Sequence, residues 1–197
     1  MNNKEFVTRI PGPSIIRFLF TDTRAAWLWL VVRLYVGWFW LNSGWEKLHS
    51  DWWTGEHAGA YVKGFINSAI NKTEGEYPDV TQWYAWFLKT MVQPNTEIFS
   101  YAVAYGEVLV GIGLVAGAFT GVTAFFGGFM NLNFILAGTL RVNAVMAILQ
   151  FLLVLAWRIA GWFGADRYFL PLFGMPWHPG KLFKKEKSEQ QQTPQNE

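Results

Sequence analysis

Four stretches of this chain are so long and so poor in charge that they constrain the fold more than anything else in the sequence. The first runs from about Ala25 to Trp45, interrupted only by Arg33, and the second from about Ile98 to Phe119, with Glu107 its only charge. The third, about Val122 to Leu140, has no charge, and the fourth runs from about Val142 to Phe163 with Arg158 near its end. Lipid cannot satisfy backbone polar groups, so a spanning segment must be a helix of roughly 17–25 mostly apolar residues. All four stretches meet that requirement, and they exceed most buried helices of a soluble bundle, the competing fold. The expected class is therefore all-α, an integral membrane four-helix bundle. Composition agrees: 52% of residues are apolar, 18% aromatic and only 15% charged, more apolar than a soluble domain of this size usually is.

The charges that remain act as topology signals. Lys4, Arg9, Arg17 and Arg24 precede the first stretch, and Arg167, Lys181, Lys184, Lys185 and Lys187 follow the fourth. Lys and Arg flank spans on the cytoplasmic side, so both termini are expected there, in the cell membrane. Between stretches one and two, Lys47, Lys63, Lys72 and Lys89 are outweighed by Glu46, Asp51, Glu56, Glu74, Glu76 and Asp79, which fits the outside. No small-residue cleavage site follows the first apolar block, which is expected to stay as a span. The net charge of +2 is too small for a nucleic-acid partner; the partner is the lipid bilayer. Without cysteine the chain holds no iron–sulfur cluster or thioether-linked haem. The expected organisation is a cytoplasmic segment over 1–24, a membrane domain over 25–171, and a cytoplasmic tail over 172–197, partly disordered because its end is polar and of low complexity.

The outer loop carries two short amphipathic patterns. Tyr61, Val62, Phe65, Ile66 and Ala69 recur at helical spacing, as do Val80, Trp83, Tyr84, Phe87, Leu88 and Met91. Asp79 with Gln82 resembles a capping box for the second, and Pro94 with Asn95 is expected to stop it and cap the next helix. Such helices either lie on the outer interface or close the bundle mouth as a lid. A further short interfacial helix is expected over Ser14 to Phe20.

Charged groups within a span are costly, about 3 kcal/mol each on insertion scales. Counting helical rise from the cytoplasmic side puts Arg33 at roughly 13 Å and Glu107 at roughly 16 Å, with Asn131 and Asn133 at roughly 13 and 16 Å and Gln150 at roughly 18 Å. One polar layer with Arg33 against Glu107 is therefore expected. It is either a site for a polar ligand or for protons, or an ion pair that locks the bundle, with the amides bonded between helices. Arg158 is expected to snorkel to the interface. Arg33, Gly37, Trp40, Gly44 and Lys47 share one face of the first span, which should point inward, and Gly113, Gly117 and Gly121 offer small-residue steps for close helix approach. Trp27, Trp29, Trp45, Trp52, Trp53 and Trp162 fall near expected interfaces as an aromatic belt, while Trp38 and Trp40 lie deeper and suit lipid contact or core packing rather than stacking on a quinone. His49 and His57 lie in the outer loop and His178 in the tail, so no intramembrane pair exists to ligate haem, and no metal site is expected.

The sequence resembles the DoxX/DoxD-like membrane proteins. RLYVGWFWLNSGWEKL carries Arg33, Gly37, Gly44 and Lys47 on the family's Arg…Gly…Gly…Lys pattern. GEVLVGIGLVAG carries Glu107, Gly111, Leu114 and Gly117, and GWFGADRYFLP places Gly161, Gly164, Asp166 and Arg167 on its Gly-x-x-Gly-x-Asp-Arg ending. The resemblance implies a four-helix membrane fold. Its DoxD branch, which the long outer loop and the ADRYFLP ending approach, is the membrane subunit of a thiosulfate:quinone oxidoreductase acting with a separate DoxA subunit; no DoxA-like region is present here. The expected function is a membrane subunit of a quinone-linked oxidoreductase, with quinone as cofactor and a DoxA-like or other redox subunit as partner. Arg33 would bond a quinone oxygen and Glu107 deliver protons as the catalytic pair, while Lys47, His49, Asn131, Asn133 and Gln150 bind substrate. The alternatives are a non-catalytic scaffold of a redox complex and a small proton-coupled transporter.

Overall fold

The computed structural model describes residues 13–175, so most of the expected cytoplasmic tail, with His178, and the first twelve residues lie outside the described residues. Among the described residues the chain is all-helical, with no strand. It opens with α1 (Ser14–Thr21), a helix over the stretch where a short one is expected, whose residues are exposed or half-buried. A turn follows in which the Asp22 carboxylate accepts both the Arg24 guanidinium and its backbone N–H. Those hydrogen bonds, the side-chain ones first, hold the Asp22 carboxyl below its ordinary range.

Helix α2 (Ala26–Leu48) starts and ends close to the first apolar stretch. The loop region forms α3 (Ala60–Asn71) and α4 (Gln82–Phe87), and α4 passes through a π turn (Leu88–Val92) and a 3-10 turn (Gln93–Asn95) into α5 (Thr96–Ala116). Two expectations about capping are corrected here. Thr81, not Asp79, stands at the start of α4, and Gln82 reaches instead toward the Thr73 carbonyl. Pro94 does not stop the chain: it sits in the first turn of the 3-10 segment, where its missing N–H is tolerated, and the Asn95 amide bonds back to the Met91 carbonyl.

The remaining elements are α6 (Thr120–Leu136), α7 (Arg141–Leu155), the single turns α8 (Trp157–Ala160) and α9 (Asp166–Phe169), and a closing 3-10 turn. The fourth stretch is thus not one helix to Phe163. It breaks at Ala156, which is fully buried, so that α8 folds Ile159 and Ala160 back into the core. Among the described residues, one helical run, Gln82–Ala116, is both long and apolar enough to cross a membrane; Thr120–Leu136 and Arg141–Leu155 are apolar but shorter.

Helix α2 packs along α5 and α6 along α7, and the two pairs meet through α5 with α6 and α2 with α7. The α2–α5 approach is close because three glycines leave room for backbone. A Cβ on Gly111 would lie 2.5 Å from the Leu41 nitrogen, and one on Gly44 would lie 2.7 Å from that of Val108, with Gly37 3.0 Å from that of Val115. The expected inward face of α2 is therefore correct, since Arg33, Val36, Gly37, Trp40 and Gly44 are all buried. Of the expected small-residue steps, Gly113 and Gly121 do admit close approach of another helix, and Gly117 serves a different purpose. Gly113 faces Thr123 across the α5–α6 turn and Gly121 faces Trp157, while Gly117 ends α5 in a left-handed conformation (φ 65°). The backbone of α2 comes closest to α5 at Gly111.

Residues inside form one core around Val36, Trp40, Leu114, Met146 and Leu153. A second cluster joins Val62 and Ile66 of α3, Tyr84 of α4, and the flanking Val80 and Leu88 to Ala137, so that segment does cover the bundle end. Trp29 is buried rather than interfacial, its indole N–H donating to the Leu19 carbonyl and tying α1 to α2.

Candidate functional site

Arg33 and Glu107 do not meet. The Arg33 guanidinium donates to the carbonyls of Leu114 (2.8 Å), Val115 (3.3 Å) and Phe163 (3.0 Å), at the C-terminal end of α5. Glu107 lies seven residues earlier, roughly 10 Å back along α5 at 1.5 Å per residue. The depth count failed because α5 ends at Ala116, before the apolar stretch does, and α2 lies against it in a register that sets Arg33 opposite its last turn. Around Arg33 the chain is knotted together. Gly117 and Gly164 give the guanidinium its space, since a Cβ on Gly117 would collide with it. Residues 165 and 166 donate their backbone N–H groups to the carbonyls of Ala116 and Gly117. The Asp166 carboxylate, 3% exposed, then accepts the N–H groups of Phe119 (2.5 Å) and Thr120 (2.9 Å) at the start of α6. An anion at a helix N-terminus satisfies its free N–H groups and opposes its dipole. It also holds Phe119 in a left-handed conformation (φ 49°) unusual for a bulky residue. Gly161 packs on the same carboxylate, where any side chain would clash.

Lys47 is the partner of Glu107. Its ammonium lies 2.6 Å from the Glu107 carboxylate and 2.7 Å from the Ser43 hydroxyl, and 5.1 Å from the Trp53 ring. The Glu107 side chain is 1% exposed and that of Lys47 17%. The pair forms one wall of a cavity of about 580 Å³ lined by residues of α2, α3, α4, α5, α6 and α7. Its other walls are mostly aromatic and aliphatic, among them Phe39, Trp40, Phe65, Phe99 and Phe134. Asn133 contributes a second polar group: the Tyr84 hydroxyl lies 2.9 Å from its carbonyl oxygen and 3.2 Å from its side-chain oxygen. The indole N–H of Trp40, in a residue only 1% exposed, has no hydrogen-bond partner among the described residues.

Of the residues singled out from sequence, Lys47, Glu107 and Asn133 line this one cavity. Asn131 and Gln150 do not: they bond to each other at 2.5 Å, fully buried between α6 and α7, with Gly127 leaving room for the Gln150 amide. Arg33 belongs to the knot at the other end. His49 is exposed, its ring tilted against that of Trp45 at 4.4 Å and its Nδ1 2.9 Å from the Trp45 carbonyl, and it is not among the cavity walls. His57 stacks on Trp52, and no group of metal-ligating side chains forms among the described residues. Sequence reading missed Ser43 and Tyr84 as parts of the site, and the Lys47–Glu107 pair itself. The signal was present: with Gly44 and Gly111 taken as the contact points of α2 and α5, Lys47 falls about one turn from Glu107, within reach of its four-carbon stem.

Residues 28–162 match the family model DoxX. The chain belongs to the DoxX family. This family is membrane-associated, in keeping with the apolar run Gln82–Ala116. No curated protein and no solved structure matches the chain. The family-pattern residues divide between two places in the fold: Arg33, Gly117, Gly161, Gly164 and Asp166 build the knot, whereas Lys47 and Glu107 face the cavity.

Proposed function

We propose that this DoxX protein is a multi-pass protein of the cell membrane in which α2, α5, α6 and α7 all cross the bilayer, both termini being cytoplasmic, and that it is the membrane subunit of a quinone-linked oxidoreductase. The membrane reading is supported by the outward faces of these helices. Val31, Leu34 and Trp38 of α2, Leu109 and Ile112 of α5, Phe125 and Phe129 of α6, and Ile148 and Phe151 of α7 are all exposed, far more apolar surface than a soluble monomer presents.

The observation that carries the functional reading is the aromatic cavity with a buried Lys47–Glu107 pair in its wall. Its volume falls within the range of small-molecule sites, roughly 300–1,000 Å³, and flat rings suit walls of Phe and Trp. A quinone bound there would supply an acceptor for two electrons and two protons. Lys47 and the free indole N–H of Trp40 are donors for a carbonyl oxygen, and Glu107 can hold or release a proton beside Lys47 and Ser43. Arg33, with its guanidinium spent on three carbonyls, takes no part, and neither does the Asn131–Gln150 pair. Thiosulfate as electron donor and a DoxA-like partner subunit extend the same reading toward the DoxD branch.

The test is to purify the protein in mild detergent, extract its lipids for quinone, and measure quinone binding and thiosulfate-dependent quinone reduction with co-purifying subunits present. Wild-type protein should carry quinone, while Glu107→Gln and Lys47→Met should lose roughly tenfold or more in affinity or turnover yet remain in the membrane. Equal binding by all three proteins, or none by any, rejects the reading. Binding without turnover in any complex would leave a non-catalytic quinone-binding partner.

A further inference from the structure

The walls of the cavity are not equally closed. Three of its lining residues are exposed: Tyr61 of α3, Ala102 of α5 and Phe129 of α6. Toward the α3–α4 side the closure is dense. Val62, Ile66, Val80, Tyr84 and Leu88 are buried there, and the lid is bonded to α6 and the turn after it by Tyr84 to Asn133 and by Lys72 to the Gly138 carbonyl (2.8 Å). Tyr61 is stacked on Trp53 at 5.7 Å and covers its corner as part of that lid.

Ala102 and Phe129 occupy a different kind of place. The exposed residues of α5 recur as Ile98, Ala102, Tyr105, Leu109 and Ile112, and those of α6 include Val122, Phe125, Phe126, Phe129 and Leu132. Each series follows helical spacing and is the outward apolar face of its helix. Both exposed cavity residues therefore sit on faces turned to lipid, not on the lid. Nearer the α5–α6 turn the two helices are in contact, Gly113 against Thr123 and Gly106 against the Met130 sulfur. At Ala102 and Phe129 the cavity lies between them, and Ala102 has the smallest side chain on its stripe.

We infer that the cavity is filled sideways from the bilayer, through a gap between α5 and α6 at Ala102 and Phe129, by neutral molecules dissolved in the lipid. The inference rests on the proposed membrane placement of these helices, and it narrows what the site can take. The Lys47 charge is already answered by Glu107 at 2.6 Å, and the other polar lining groups, such as Ser43, Tyr84 and Asn133, are uncharged. An anion carried into this cavity would be buried without a counter-charge, which is costly. A water-soluble anionic electron donor therefore acts at another surface or on a partner subunit.

The natural chain has no cysteine, so a single introduced thiol reads access to the cavity without background. Val103→Cys places one on the cavity wall, and Phe39→Cys on α2 is the second reporter should the first fail to assemble. In vesicles, a pyrene maleimide that partitions into the bilayer should label the thiol, whereas a sulfonated maleimide added to both faces should not. Ala102→Trp, an outward position where a larger side chain meets lipid and not core, should slow pyrene labelling by roughly tenfold or more, while Tyr84→Phe on the lid should change it by less than about twofold. Labelling by the sulfonated reagent at a comparable rate, a stronger effect of Tyr84→Phe than of Ala102→Trp, or no labelling of either reporter would overturn the inference. The experiment uses no quinone, so a failure of the proposed ligand would leave its result standing, and the reverse.

Discussion

At one end of the α2–α5 pair the buried cation is Arg33, held by three backbone carbonyls; at the other it is Lys47, held by a carboxylate and a hydroxyl. The surroundings differ as much as the partners do. Arg33 is enclosed by glycines and by chain segments from three parts of the sequence, and its charge serves to neutralise the carbonyls that end α5. Lys47 borders open volume and a carboxylate, an ionisable partner. A cation that binds only main chain joins segments together, whereas one that binds an ionisable group beside a cavity retains something to trade. Position in the family pattern does not separate these roles; the identity of the partner does.

That contrast can be broken from several directions. The largest effect is expected at the knot. Asp166→Ala strips two N–H groups at the start of α6 of their acceptor and leaves Arg33 without the nearby carboxylate, and should lower stability by roughly 3 kcal/mol or more. Denaturant titration in detergent micelles would measure it; a loss below about 1 kcal/mol would mean that the knot is not a structural centre. Gly111→Val comes next, because a branched side chain would have to displace Leu41 backbone, at a cost of about 1–3 kcal/mol. Its signature is lost stability with ligand binding falling only in proportion to the folded fraction.

At the cavity the expected pattern is coupling. Lys47→Met alone leaves Glu107 buried without its cation, and Glu107→Gln alone leaves the ammonium unanswered. The double variant should recover much of the lost stability, with an interaction energy of about 1–3 kcal/mol, while the proposed quinone binding should be lost in all three. If stability losses simply add, the 2.6 Å pair is not a functional unit. Tyr84→Phe removes one lid hydrogen bond and should cost about 1 kcal/mol, read as faster proteolysis of the α3–α4 region. Smallest of all should be the joint replacement of Asn131 and Gln150 by Leu. Interhelical amide bonds of this kind average about 0.6 kcal/mol, and each residue already carries a buried atom with no partner among the described residues.

How much of this was legible in the sequence follows from what each signal measures. Apolar length located α2, α5 and α6 to within a few residues because burial and lipid both select for apolar side chains. It could not show the break at Ala156, where an unremarkable alanine turns the chain, nor the π turn that carries α4 into α5. Helical spacing in the outer loop revealed α3 and α4 and their inward faces, because Val62, Ile66, Tyr84 and Leu88 pack on one side. The depth count placed Arg33 and Glu107 together because it measured each helix from its own apolar end. What aligns two helices is instead the point where their backbones touch, and that was written in Gly44 and Gly111. The Asp166 contact has no local signal: its partners lie 46 and 47 residues away, and only the fold brings them to it.

That long separation also sets an order of events as the chain is made. Until residue 166 has left the ribosome, the first amides of α6 have no protein acceptor from this clasp, although α2 and α5 can already lie side by side. At about 5–20 residues per second the wait lasts a few seconds, during which the α6–α7 hairpin can form but not be fastened. The clasp can therefore close only once the chain through α9 is free of the ribosome, which makes it a late seam of the fold.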